Sequence, residues 1–176
     1  TAFLILLCTV GISGAVAQQD VLADRHARIA QLQREEAHAE VAKLIELQVR
    51  QAVGNAWQDS IHTYVYGLGL AVWKSKDVDA GIAAARALNE QVQREDKHDL
   101  HRLTAMEALG KLLFDMGHMP ECVLTDSMAL AFADAHRGIP PIRRGRILLR
   151  LGLDHGQMGD HTRSLGYYRK AREQFS

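Results

Sequence analysis

The stretch LGLDHGQMGDHTRSLGYYRKARE, residues 151–173, opens on a Leu-Gly pair, breaks at Gly159-Asp160, and continues through Ser164, Tyr168 and Ala171 at helical spacing. The same opening pair stands upstream at Leu109-Gly110 and Leu68-Gly69, at intervals of 42 and 41 residues. Repetition at a fixed period of this size predicts stacked helical hairpins, since one hairpin alone cannot bury its apolar side. The register agrees beyond the glycines. Seven residues after them come Lys76, Gly117 and Gly159; twelve after, Gly81, Cys122 and Ser164; sixteen after, Ala85, Asp126 and Tyr168; nineteen after, Leu88, Ala129 and Ala171.

Four residues before each glycine stand Val65, Met106 and Leu148, and three after it Val72, Leu113 and His155. This is an apolar i, i+4, i+7 stripe, interrupted once by the histidine. A glycine inside such a stripe costs about 1 kcal/mol relative to alanine, so it needs a compensating reason. Close backbone approach by the second helix supplies one, and small residues twelve positions later mark the expected crossing.

Prolines occur only at 120, 140 and 141, and no segment alternates with the two-residue period of a half-buried strand. The fold is therefore expected to be all-α, a right-handed stack of antiparallel helical hairpins. The boundaries fall at about 21–53, 59–94, 101–136 and 142–175. The first of these reads as one long helix or as a hairpin turning near Glu35–His38. Gly54-Asn55 marks a break, and Asp59 or Ser60 is a candidate cap. Ser75 or Asp77 is expected to cap the next helix, residues 95–100 to form a polar link, and Pro120 to sit in a first helical turn. Gly138 with Pro140-Pro141 sets a boundary, and Asp160 is a plausible cap for the last helix.

Residues 1–17, TAFLILLCTVGISGAVA, carry no charge, whereas the chain from Gln18 onward is rich in charged residues. Ala15-Val16-Ala17 is a small-x-small cleavage pattern, so the stretch reads as the apolar and cleavage regions of a secretory signal peptide, its basic start lying upstream of Thr1. A retained membrane anchor is the alternative, and 17 residues are marginal for that role. The expected location is the periplasm or cell envelope, with secretion as the alternative. Cleavage would leave Cys122 as the sole cysteine, which excludes an intramolecular disulfide and favours a buried thiol.

Residues 18–176 then form one helical repeat domain. Net formal charge is zero, but residues 137–176 hold nine basic and three acidic groups. Arg143, Arg144, Arg146 and Arg150, with Arg163, Arg169, Lys170 and Arg172, are candidates for a positive patch toward an acidic partner or anionic surface. Nucleic acid is not expected of an exported chain.

Together the Leu-Gly pair, turn glycine, small residue, aromatic and alanine of residues 151–173 resemble the tetratricopeptide repeat family. Residues 109–129 keep Leu109, Gly110, Gly117 and Ala129 but place Asp126 where the aromatic is usual. Residues 68–88 keep Leu68, Gly69 and Leu88 but carry Lys76 at the turn glycine. The period of 41 to 42 is longer than the family's usual 34 and resembles a longer variant of sensor and regulatory proteins. The resemblance implies a concave groove lined by the first helix of each pair. Carried onto this chain, its candidate partner-binding residues are Tyr66, Trp73, Lys74, Glu107, Lys111, Phe114, Asp115 and Arg146. Trp73 and Phe114 could instead pack between repeats. Aromatics beside charges suit a protein-binding hot spot, and Lys74, Lys111 and Arg146 could clamp carboxylates of an extended peptide.

Catalytic signals are absent: there is no H-E-x-x-H, G-x-S-x-G or phosphate loop. No catalytic, cofactor or metal residue is assigned. Nine histidines nevertheless keep a second class open, a small helical metal protein or enzyme, with His98 and His101 near Asp96 and Asp99 as its best ligands. His155 and His161 are read as solvent-exposed. A third class is a purely architectural module that associates with itself. The leading expectation is a non-catalytic scaffold or sensor module that binds a protein or peptide.

Overall fold

The computed structural model describes residues 24, 27–52 and 60–175. The apolar stretch 1–17, the Gly54-Asn55 break and the Asp59 cap lie outside the described residues. Within them the chain is all-α, with no strand: α1 (27–34), α2 (His38–Ala52), α3 (Ile61–Ser75), α4 (Val78–Glu95), α5 (Asp99–Asp115), α6 (Met119–Ala135), α7 (Pro141–Gln157) and α8 (His161–Gln174).

Short turns separate the helices where the connections are described, all but that between α2 and α3. Residues 35–37 break α1 from α2, with Glu36 in the left-handed region at φ 56° and the Ala37 N–H donating to the Leu32 carbonyl at 3.0 Å. The first segment is thus a hairpin rather than one long helix. Asp77 caps α4 by accepting from the Ala80 N–H at 2.7 Å, and Asp160 caps α8 by accepting from the Arg163 N–H at 3.0 Å. Ser60 occupies the N-cap position of α3 but does not cap it through its side chain.

Gly117 and Gly159 both take positive φ, 78° and 80°, and end α5 and α7 in the same way. His118 N–H reaches back to the Leu113 carbonyl and Asp160 N–H to the His155 carbonyl. Lys76, at the equivalent place, does not enter the left-handed region, and α3 closes through its N–H to Val72 instead. The 95–100 link is shorter than expected. Asp96 accepts from the His98 N–H at 2.7 Å, so the turn closes quickly and α5 begins at Asp99.

The three glycines of the repeat lie at three equivalent crossings. Gly69 meets Ala85 and the Gly81 backbone; Gly110 meets Asp126 and accepts from the Cys122 thiol at 3.3 Å; Gly152 meets Tyr168 and accepts from the Ser164 hydroxyl at 2.7 Å. The positions twelve and sixteen residues on are therefore the ones that touch each glycine. Antiparallel pairing follows, since Gly69 faces Ala85 while Trp73 faces Gly81. α3 also packs on α5, α4 on α5, and α6 on α7, which links the hairpins in order.

Burial divides the interior into two cores. The larger runs from Ile29 and Val41 through Tyr64, Val65, Leu88 and Leu112 to Cys122, and the smaller gathers Leu103, Ala129, Ala133, Ile139, Ile147 and Leu151. His155, expected to be solvent-exposed, is buried at 4 % relative exposure. It takes the place in the stripe held by Val72 and Leu113, and its ring stacks on Tyr167 at 5.3 Å. His161 is exposed, as expected.

Alanine at position 81 is expected to lower stability by about 1–3 kcal/mol. Its Cβ would stand 2.6 Å from the Gly69 carbonyl oxygen and 2.8 Å from the Trp73 Cβ, and backbone cannot swing aside as a side-chain tip can. Gly138→Ala, with nothing within 4 Å of the new Cβ, should leave the urea midpoint unchanged or raise it. Equal midpoints for the two variants in urea unfolding would contradict the close crossing.

Candidate functional site

Three helices that each begin a hairpin, α3, α5 and α7, contribute to one polar face. Tyr66 of α3 donates its hydroxyl to Asp115 Oδ2 of α5 at 2.7 Å, and Lys111 reaches the same oxygen at 2.7 Å. The Lys111 ammonium also lies 5.1 Å from the centre of the Tyr66 ring. His62 stacks on Tyr66 one turn earlier, with ring centres 5.8 Å apart.

Electrostatics match this geometry. Partial burial, the Asp115 hydrogen bond and its charge push the Tyr66 hydroxyl up to about 12. Burial works against ionisation of Asp115, but hydrogen bonds from Lys111 and Tyr66 outweigh it and hold the carboxyl below its ordinary value. His62 is held below its ordinary value by burial first, then by the charges of Arg150, Lys111, Arg143 and Arg146. Those four cations come from α5 and α7, so a single histidine on α3 registers the positive field of the whole face.

Deeper in, α7 ties α5 to α6. Arg150 forms a two-pronged pair with Asp126, Nε to Oδ2 at 2.8 Å and Nη2 to Oδ1, and its third nitrogen donates to the Glu107 carbonyl at 3.0 Å. Arg143 pairs with the Glu107 carboxylate and donates to Thr104 Oγ1 at 2.8 Å. Asp126 is fully buried, and burial raises its pKa although Arg150 opposes the shift. Glu107 is raised by burial too, against the pull of Arg143 and Arg150. Gly110 makes this possible, because a Cβ there would run into the Asp126 carboxylate.

The expected partner-binding residues therefore divide. Tyr66, Lys111 and Asp115 form one connected unit, whereas Glu107 belongs to a separate one with Arg143 and, through its carbonyl, Arg150. Arg146 is exposed on the same face, with no ion pair among the described residues. Phe114 packs against the larger core and, with Leu153 of α7, lines a cavity of about 200 Å³ that opens beside Lys111 and Asp115. Trp73 and Lys74 pair with each other, the ammonium 4.5 Å from the ring centre, and no described contact joins them to the others.

Two expectations from the arginines and histidines change. Arg143, Arg144 and Arg150 do not add to a basic surface patch: Arg143 holds the half-buried Glu107 carboxylate and Arg150 the buried Asp126, and Arg144 closes the end of α6 by donating to the Ala133 carbonyl at 2.8 and 3.1 Å and to the His136 carbonyl at 3.2 Å. His101 binds Asp96 Oδ2 at 2.8 Å and its ring lies 5.0 Å from that of His98. Among the described residues, no histidine belongs to a cluster of three metal-donor side chains.

Asp126 is the residue that sequence reasoning missed. Its signal was present as a departure from the pattern, an acid at the place Tyr168 fills in the last hairpin, in a chain that also supplies an arginine two residues before Gly152. No protein-family model and no curated protein matches the chain.

Removing the Arg150 side chain strands a fully buried carboxylate, so Arg150→Ala is expected to cost about 3–5 kcal/mol. Arg86→Ala breaks the Arg86–Glu121 pair, whose side chains are 48 % and 47 % exposed, and should cost less than about 1 kcal/mol. Chemical denaturation of the two variants at neutral pH measures the contrast.

Proposed function

We propose that the chain is a tetratricopeptide-like repeat module that binds a protein or peptide segment along the face of α3, α5 and α7. The observation that carries the reading is the Tyr66–Asp115–Lys111 unit, which bridges two hairpins and presents an aromatic ring and a cation side by side. The repeated glycine crossings support a hairpin repeat, because the two helices within each hairpin meet through the same sequence offsets. A preformed face suits recognition, since most of its charged groups are already held by partners and little side-chain freedom remains to be lost on binding.

Charge selects the ligand class within this reading. Lys111, Arg143 and Arg150 are each balanced by a carboxylate, whereas Arg146 is exposed and unbalanced, so an extended segment bearing an acidic residue is favoured. The apolar stretch 1–17 supports placing this module in an exported protein. The architectural, self-associating role is the weaker reading, since an ordered polar face is not required for it.

Selection from a displayed random-peptide library is expected to enrich sequences with at least one acidic residue. For a selected peptide, Tyr66→Ala and Arg146→Glu should each weaken binding about tenfold or more without changing helical content. Leu124→Ala, at an exposed site on α6, should leave affinity unchanged. Peptides whose affinity ignores both face substitutions would remove this assignment.

A further inference from the structure

At the inner end of the cavity beside Phe114, three donor side chains converge. Cys122 and Asp126 lie one turn apart on α6, and Asp154 projects from α7; their donor atoms lie within 4.8 Å of one another, and all three residues are buried. Cys122 Sγ is 3.5 Å from Asp154 Oδ1 and 3.3 Å from the Gly110 carbonyl oxygen. Asp154 is 1 % exposed, and its Oδ2 receives no hydrogen bond. A buried acceptor facing a second carboxylate without a donor calls for a proton or a cation between the two.

We propose that Cys122, Asp126 and Asp154 form a binding site for a divalent zinc-class cation. Tetrahedral zinc with Zn–S of about 2.3 Å and Zn–O of about 2.0 Å sets sulfur and oxygen about 3.5 Å apart, and the Cys122–Asp154 separation has that value. Arg150 holds Asp126 through Nε and Nη2, fixing the carboxylate while each oxygen keeps a lone pair for the ion. Charge also closes. Binding releases the Cys122 thiol proton and any proton on Asp154 to solvent, leaving a thiolate and two carboxylates opposite one divalent ion and the Arg150 guanidinium.

A shared proton is the competing explanation, because burial and the neighbouring Asp126 charge raise Asp154 to about 6. It accounts for the two carboxyl groups and leaves the Cys122 S–H on the Gly110 carbonyl oxygen, so the two states differ in whether the sulfur carries a proton. Without a metal the thiol stays protonated, since burial and the nearby Asp126 and Asp154 charges raise its pKa. The softness of the third donor therefore favours zinc over calcium or magnesium. The cavity leading in from the face between Phe114 and Leu153 provides an entry path.

The test is titration of the metal-free full chain with cobalt(II), followed by zinc, in a Cys8→Ser background that leaves Cys122 as the only thiol. One equivalent of cobalt should produce thiolate-to-metal charge-transfer absorption, and zinc should displace it. The wild-type Cys122 signal reads the sulfur ligand with no change inside the cluster. Asp154→Asn, nearly the same shape, should weaken binding about tenfold or more, and Cys122→Ser should remove the charge-transfer band, with circular dichroism checking the fold of each. Absence of saturable binding, or binding with no sulfur band, or affinity unchanged in both variants, would overturn the proposal and leave a shared proton between the carboxyl groups.

Discussion

The approach of two helix backbones at a glycine constrains everything else in this fold. At Gly81 helix α3 stands too close for a Cβ, and at Gly69 a Cβ would press on α4 and run into Leu112 of α5; at Gly110 and Gly152 one side is bare and the other supplies a short donor to the glycine carbonyl. Each buried side-chain hydrogen bond of this kind contributes about 1 kcal/mol net, less for a thiol. The larger effect is geometric. A fixed crossing point fixes which residues four positions farther along the second helix face the glycine, and so sets Ala85, Asp126 and Tyr168 in equivalent places.

Those three residues solve the same packing problem with different chemistry. Ala85 lets α3 and α4 close up, Tyr168 fills the space with its ring, and Asp126 brings in a charge that apolar neighbours cannot satisfy. Arg150 answers from the next hairpin. Such a pair is seldom a net gain in stability over an apolar replacement, because both ions lose water. It is directional, however: two parallel hydrogen bonds to Asp126 and a third to the Glu107 carbonyl specify how α7 must sit against α5 and α6. A hydrophobic contact at the same place would tolerate sliding.

How far the sequence speaks follows from these two mechanisms. The all-α class, the Asp160 cap, the Gly117 and Gly159 turns and the glycine crossings were legible, because each depends on residues near in sequence or repeated at a fixed offset; whether the first segment held one helix or two, and whether Ser75 or Asp77 capped α4, was not. The arginine run 143–150 was not. Its members look alike on paper, yet Arg144 finishes α6, Arg143 and Arg150 enter the interior, and only Arg146 turns outward. The partners of Arg143 and Arg150 lie 24 to 43 positions away. His155 failed for a related reason: a histidine in an apolar stripe reads as an interruption until Tyr167 is seen to cover it. Of the expected binding face, Lys111 and Asp115 came together through i,i+4 spacing on α5, and the packing of α3 on α5 brought Tyr66 to them; Trp73 and Lys74 pair with each other, apart from that unit.

Arg150 also couples the interior to the face. Its side chain passes from the buried Asp126 toward Glu107, and its charge is the strongest of the four that act on His62. The face therefore draws part of its positive potential from a group whose position is set inside the protein. A cation held this way cannot relax to meet an incoming carboxylate, whereas exposed Arg146 can. In the binding role proposed for α3, α5 and α7, recognition would divide into a fixed field that orients an acidic segment and one adaptable contact that closes on it. The cost of ordering would fall mainly on Arg146, since Tyr66, Lys111 and Asp115 are already in place.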